Sequence, residues 1–282
     1  MNKIKLLNGI QIPQIGIGTW QITDKEIIDS IIKESYQLGY QLIDTAAAYS
    51  NEIAIGRALV NNSIKREEVF LTDKVWNSYR SYNGVQEACK KSLKKLKTDF
   101  FDSYLIHWPA SMKLYPETWK DINAEVWGGL EAIYKQGLAR SIGVCNFKIH
   151  HLEALMKTAL IKPMINQIEF HPGINQEEMI KYCKKNNIIL EASSPLGNGQ
   201  ILQNKTLLEI SKSRRKTIAQ ICLRYSLQKG FVVIPKTTSK NRLLENINIF
   251  DFELTEEEIK ILDSIPYCGG IGIDSDEVVQ FG

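Results

Sequence analysis

The sequence predicts an α/β chain folded as one (β/α)8 TIM barrel, and three observations carry that prediction. Short apolar, β-rich runs recur eight times, amphipathic helical stripes separate them, and no Pro-, Gly- or Ser-rich linker divides the chain. The runs fall at residues 15–18, 42–44, 69–72, 103–107, 141–145, 164–168, 188–192 and 231–234. A doubly wound dinucleotide fold shares this alternation but needs G-x-G-x-x-G directly after its first strand. Gly16-Ile17-Gly18-Thr19-Trp20 does not continue that way.

Ahead of the first barrel strand, residues 3–13 hold two short apolar strands around Asn8-Gly9, a pair suited to the positive φ of a tight hairpin turn. This N-terminal hairpin reads as an appendage. After Asp24, the side chains Ile27, Ile28, Ile31, Ile32 and Tyr36 share one helical stripe, and Val85, Cys89, Leu93 and Leu96 share another. The second ends in Lys94, Lys95 and Lys97, which suit a helix C-terminus and read as solvated charge. Further helices are expected over 124–135, 151–157, 177–185, 217–228 and 240–246, with Gly39, Gly137 and Gly230 marking returns into strands. A last helix over 254–264 and a glycine-bearing tail, 265–282, complete a single domain spanning 1–282. The tail is placed to help close a pocket.

Composition removes several function classes. With 282 residues, 44% apolar and 24% charged, the chain buries roughly three quarters of its unfolded surface and is not disordered. A net charge of +3 gives no global attraction for nucleic acid, although one small anionic ligand needs only a local cluster. No apolar run approaches the roughly 20 residues that cross a bilayer, and the lysine-bearing start lacks a signal-peptide pattern, so a cytoplasmic chain is expected. Cys89, Cys145, Cys183, Cys222 and Cys268 are too scattered for a zinc knuckle or a redox dithiol. The histidines form no H-E-x-x-H, and adjacent His150 and His151 are expected to leave a helix at different angles, so no metal site is predicted.

Chemistry in such a barrel belongs at the C-terminal ends of the strands, where four polar groups gather. Asp44 ends the second strand with Tyr49 just beyond, Lys74 follows the third, and His107 ends the fourth. Each alone has a plainer use: Asp44 as a cap, Lys74 as a surface charge, His107 as a structural ring. Together they suit proton transfer. An ammonium beside a tyrosine favours phenolate, so Tyr49 is expected below its usual value of about 10, with Asp44 fixing Lys74. His107 is placed to donate a hydrogen bond to a polarised carbonyl oxygen.

Several ordered stretches carry a resemblance. They are GIGTW ending at Trp20, GYQLIDTAAAYSNE from Gly39, the lysine of TDKVW, YLIHWP from Tyr104, IGVCNF from Ile142, NQIEFHP from Asn166, SPLG from Ser194 and IPKTTSKNRLLEN from Ile234. In these the chain resembles the aldo-keto reductase family, with a likeness to bacterial diketo-gluconate reductases, from the hairpin nearly to the C-terminus. The resemblance implies a (β/α)8 barrel that reduces carbonyls with NADPH/NADP+ without a Rossmann fold. It implies Tyr49 as general acid, tuned by Lys74 and Asp44, with His107 orienting the carbonyl.

The same resemblance assigns the nicotinamide amide to Cys145, Asn146 and Gln167, further cofactor contacts to Ser194 and Leu196, and the region near the adenine to Glu245 and Asn246. Lys236, Thr237 and Arg242 match the family's groups around the 2′-phosphate. Their spacing suits that task, since two cations, a hydroxyl and helix-terminal amides can together hold a phosphate dianion. NADPH is therefore expected over NADH. Two positions depart from the pattern: Cys145 stands where serine is common, and Ser193 where a tyrosine ring usually stacks on the nicotinamide.

Trp20 and Trp108 are the expected substrate contacts, with Trp76 and Tyr115 as further candidates for an aromatic wall. His171 reads as structural, and Gly173 suggests an open pocket. The resulting expectation is a monomeric carbonyl reductase acting on a small aldehyde or ketone. A nicotinamide-binding regulatory subunit with little turnover is the alternative. A barrel isomerase or aldolase using Lys74 would leave Tyr49 and the Lys236 cluster without a joint explanation.

Overall fold

A computed structural model describes residues 2–278; Met1 and the last four residues of the expected tail lie outside that range. Strand β1 (Lys3–Lys5) pairs antiparallel with β2 (Gln11–Pro13), and the turn closes at Gly9, whose φ of 91° favours glycine. The hairpin is more than an appendage. Leu6 and Ile12 are buried with Leu42, Phe70, Leu105, Ile165, Val232 and Ile234, so the hairpin plugs the bottom of the barrel.

The barrel strands are β3 (Gly16–Gly18), β4 (Leu42–Asp44), β5 (Phe70–Val75), β6 (Ser103–Ile106), β7 (Ile142–Cys145), β8 (Ile165–Glu169), β9 (Ile189–Ser193) and β10 (Phe231–Val233). Each is parallel to the next, and bridges from Ile15 to Val233 and from Gly18 to Lys236 bring the first strand against the last. Close approach inside the wall requires glycine at Gly16, where a methyl group would overlap the Leu42 side chain. All eight expected strands are present. β5 runs to Val75, so Lys74 lies within the strand rather than after it; Phe70, Thr72 and Lys74 alternate with residues facing the helices.

Around the barrel lie α1 (Lys25–Gln37), α2 (Glu52–Asn61), α3 (Tyr82–Leu96), α4 (Trp119–Lys135), α5 (Ile149–Met156), α6 (Glu177–Asn186), α7 (Lys205–Arg214), α8 (Ile218–Gln228), α9 (Lys240–Ile247) and α10 (Glu256–Asp263). Asp24 caps α1 by accepting the Glu26 and Ile27 amides, and the stripe of α1 buries Ile28, Ile31 and Ile32. Burying each such side chain contributes about 1.5–3 kcal/mol. α4 begins five residues before the expected 124, at Trp119, whose ring is buried. Helices α2 and α7 were not anticipated: each is only ten residues long, and in α2 the stripe is broken by Gly56, which abuts the Leu96 backbone. Among the described residues no helix is long and apolar enough to cross a membrane.

Candidate active site

The top of the barrel opens into a cavity of about 1550 Å³. Asp44, Tyr49 and His107 line one region of it, with Trp20, Trp76 and Trp108. Asn146, Gln167, Ser193, Ser194 and Leu196 line the same cavity, as do Lys236, Thr237, Arg242, Glu245 and Asn246. The sequence-predicted catalytic, cofactor and substrate residues thus face one cavity apart from Lys74, which is wholly buried beneath it, and Tyr115.

Local contacts fix each group. The β4–α2 loop is tied by Asn51, which accepts the Thr45 hydroxyl and donates to the carbonyls of Thr19 and Ile22. This presents Tyr49 at the end of a short 3-10 turn, Ala47–Tyr49, with Ser50 in the left-handed region at φ 56°. Lys74 Nζ lies 2.7 Å from both Asp44 carboxylate oxygens and 3.0 Å from the Thr45 carbonyl. It is 5.2 Å from the centroid of the Tyr49 ring. His107 meets Tyr49 edge-on at 5.6 Å and Trp76 at 5.1 Å between ring centroids.

Burial sets the protonation states. Desolvation disfavours the Lys74 ammonium, but Asp44, together with smaller contributions from Tyr49 and Cys145, more than offsets it and holds Lys74 charged well above its ordinary range. The expected net fall for Tyr49 is not found. Burial outweighs the pull of Lys74, so the phenol is held above its usual value and keeps its proton. His107 is pushed well below the usual imidazole range by burial and then by Lys74, so the ring is neutral. Its Nδ1 is buried without a hydrogen-bond partner among the described residues.

The amide groups assigned to the nicotinamide are held in place by the protein. Asn146 adopts φ 62° and donates to the His107 carbonyl at 2.9 Å, while Gln167 Nε2 donates to Asp44 Oδ2 at 2.9 Å. Cys145 Sγ contacts Gln167 Oε1 at 3.6 Å. Farther along the cavity, Lys236 and Arg242 form no ion pair with any described carboxylate, Thr237 is buried, and Arg242 lies in the first turn of α9. Two uncompensated cations at the end of a cavity this large fit a phosphate-bearing dinucleotide.

The tail folds back over the cavity, which Tyr267, Ile271, Ile273 and Val278 help to line. Glu169 accepts the amides of Ile271 at 2.5 Å and Gly272 at 2.9 Å, an anchor the sequence did not reveal because its partners are backbone groups. His171 is buried 3.7 Å from the same carboxylate and is structural in this arrangement. Ser111 Oγ donates to the Val278 carbonyl.

His150 and His151 do converge, contrary to expectation. Their Nε2 atoms lie 3.0 and 3.1 Å from Asp276 Oδ1, because Asp276 reaches both rings from the tail. Lys148 Nζ contacts the other Asp276 oxygen at 2.8 Å. His151 Nδ1 accepts the Lys148 backbone amide, which places the neutral ring's proton on Nε2. His151 Nε2 is close to Asp276 but not aligned for a hydrogen bond, so Lys148 and His150 make the polar contacts that hold the tail, and one ligand atom each from His150, His151 and Asp276 lie within 4.8 Å of one another.

Comparison with known proteins identifies the family and the fold. The sequence profile described as the Aldo/keto reductase family matches residues 14–266. The chain is 43% identical to glyoxal reductase of Bacillus subtilis (strain 168) over 276 residues, covering 98% of this chain and 97% of the relative. It is 40% identical to methylglyoxal reductase DkgA of Escherichia coli (strain K12), covering 99% and 98%. The crystal structure of a Bombyx mori aldo-keto reductase in complex with NADP superimposes with a TM-score of 0.83 at 35% identity, covering 93% of this chain and 92% of that one.

Proposed function

We propose, for a chain that belongs to the aldo/keto reductase family, NADPH-dependent reduction of small aldehydes and ketones with Tyr49 as the general acid. The carrying observation is the convergence of a neutral buried phenol, the Lys74–Asp44 pair and a neutral imidazole on one cavity. The NADP-bound structural neighbour and the reductase names of the relatives support the reading. Because those relatives are named for glyoxal and methylglyoxal, small 2-oxoaldehydes are the first substrates to test.

When bound, the nicotinamide supplies the hydride for the carbonyl carbon. Lys236, Thr237 and Arg242 hold the 2′-phosphate, Glu245 and Asn246 lie near the adenine, and Cys145, Asn146, Gln167, Ser194 and Leu196 hold the nicotinamide half. His107 aligns the carbonyl oxygen beside Tyr49, with Trp20 and Trp108 walling the substrate. As negative charge grows on that oxygen, Tyr49 delivers its proton and the Lys74 ammonium stabilises the phenolate left behind. A phenol held neutral at rest is the correct starting state for this donation. The alternative, a cofactor-binding subunit with little turnover, draws on Ser193, which offers no ring to stack on the nicotinamide. The chain is taken as a cytoplasmic monomer, without nucleic-acid or membrane partners.

The deciding experiment follows NADPH consumption with glyoxal, methylglyoxal, aromatic aldehydes and diketones, using wild type and Tyr49→Phe. The expected result is turnover that falls by about 10²- to 10⁴-fold in the variant. NADPH binding without reduction across the panel selects the subunit reading, and full turnover by Tyr49→Phe removes Tyr49 from its role.

A further inference from the structure

Beneath the cavity floor lies a second carboxyl group that the proton-transfer reading does not use. Glu191 is fully buried on β9, and among the described residues neither carboxyl oxygen has a partner in good hydrogen-bond geometry, the Gln167 side chain being the polar group beside it. Its register partner on β8 is Gln167, whose own neighbour on β7 is Cys145. Gln167 in turn donates to Asp44, and Asp44 holds Lys74. Five polar side chains from five strands therefore share one patch of the barrel interior. The partner on β10 is the apolar Val232, so Asp44, Lys74 and Cys145 are the titratable groups that face Glu191.

The charge balance in this patch is constrained. Its one cation, Lys74, already has three acceptors around Nζ, namely both Asp44 oxygens and the Thr45 carbonyl. An ammonium has three hydrogens, so none is left for a second carboxylate. An ionised Glu191 would be an unpaired buried anion beside Asp44, a state that proteins avoid by protonation. The amide of Gln167 has a second hydrogen that Asp44 does not use, and Glu191 is its neighbour.

Resting on the reductase reading above, we propose that Glu191 is a positioning residue held as a neutral acid, and that its ionisation sets the alkaline limit of catalysis. While neutral, it leaves Asp44 as the sole counter-ion of Lys74, so the ammonium acts fully on Tyr49, and it keeps the Gln167 amide turned to Asp44. On losing its proton to solvent it places a second anion beside Lys74 and draws on Gln167, which makes Tyr49 a poorer proton donor. Burial and then the Asp44 carboxylate push the Glu191 carboxyl up to about 8, against weaker opposing pulls from Lys74 and the Gln167 amide, which puts the event on the mildly alkaline side of neutrality.

Two readouts test this on the whole protein. Infrared difference spectroscopy of the cofactor-free enzyme is expected to show the carbonyl stretch of a protonated carboxylic acid, fading as pH rises through about 8. Asp73 carries a similar proton on the outer side of the wall, so the two bands are separated with variants. Glu191→Gln should remove one component and Asp73→Asn the other. If Glu191→Gln leaves the spectrum unchanged, Glu191 is ionised and the proposal fails, whatever the fate of the reductase reading.

The second readout is the pH profile of kcat with a small aldehyde. Wild type is expected to lose up to about tenfold across the step, the factor one pKa unit of the proton donor is worth. In Glu191→Gln, and in Glu191→Met should the amide fail to fold, that fall should move up by a unit or more. A midpoint identical to wild type in the folded variant overturns the role. Asp73→Asn, which lies outside the site, should keep the wild-type profile.

Discussion

Lys74 and Asp44 form a closed, water-excluded pair: Nζ stands 2.7 Å from each carboxylate oxygen, and the lysine side chain has no exposed surface. The pair couples strand β4 to strand β5 and places a permanent positive charge 5.2 Å from the centre of the Tyr49 ring. Its value lies in fixing that charge, because a buried ion pair is weak evidence for net stability.

Removing one partner is a different matter. Asp44→Asn leaves the Lys74 ammonium buried without its counter-ion, and the expected loss is about 3–5 kcal/mol of unfolding free energy. Denaturant unfolding monitored by circular dichroism measures it. A loss under about 1 kcal/mol would mean that Lys74 has found water or another acceptor.

On the proposed reading, Arg242 is the residue whose loss should separate the two nicotinamide cofactors. Arg242→Ala should weaken NADPH binding by about 10- to 100-fold, the range of one charge-assisted hydrogen bond to phosphate, while NADH binding changes little. Fluorescence titration of both cofactors against the variant reads this directly. Equal losses for the two would place the 2′-phosphate elsewhere.

Two buried carboxyls give the fold an unusual pH response. Asp73 is pushed up to about 8 by burial and then by Glu52, and Glu191 also reaches about 8. Both lie above their unfolded values of 3.8 and 4.5, so the folded chain holds protons that the unfolded chain has released. Their contribution to stability is complete below those unfolded values and is lost as pH rises through about 8. His151, held near 4, and His107 act in the opposite sense only below their ordinary 6.5. From 6.5 to about 8 the melting temperature should therefore fall. Asp73→Asn and Glu191→Gln should each flatten the slope, and a melting temperature that rises across this window would contradict the assignment.

Much of this was legible in the chain. Eight apolar runs and the helix start after Asp24 are local signals, and they produced the strands and the helix they announce. The motif residues Asp44, Tyr49 and His107 face one cavity because period-two alternation and strand-end placement are written in sequence. Less was legible for α2 and α7, whose stability comes from neighbours more than from their own periodicity. The convergence of His150 and His151 was misread because the third member, Asp276, lies far along the chain.

The sequence by itself determined the barrel, its strand order and the identities of the groups at its mouth, since these follow from spacing and residue type. Tertiary structure alone decided their protonation. Tyr49 carries its proton, His107 is neutral and Lys74 stays charged because burial and charge separation set the balance, and neither can be read from a linear chain. Glu191 is the clearest case: in the sequence it is one acidic residue among thirty-two Asp and Glu, and only the closed wall of strands makes it a buried acid beside Gln167.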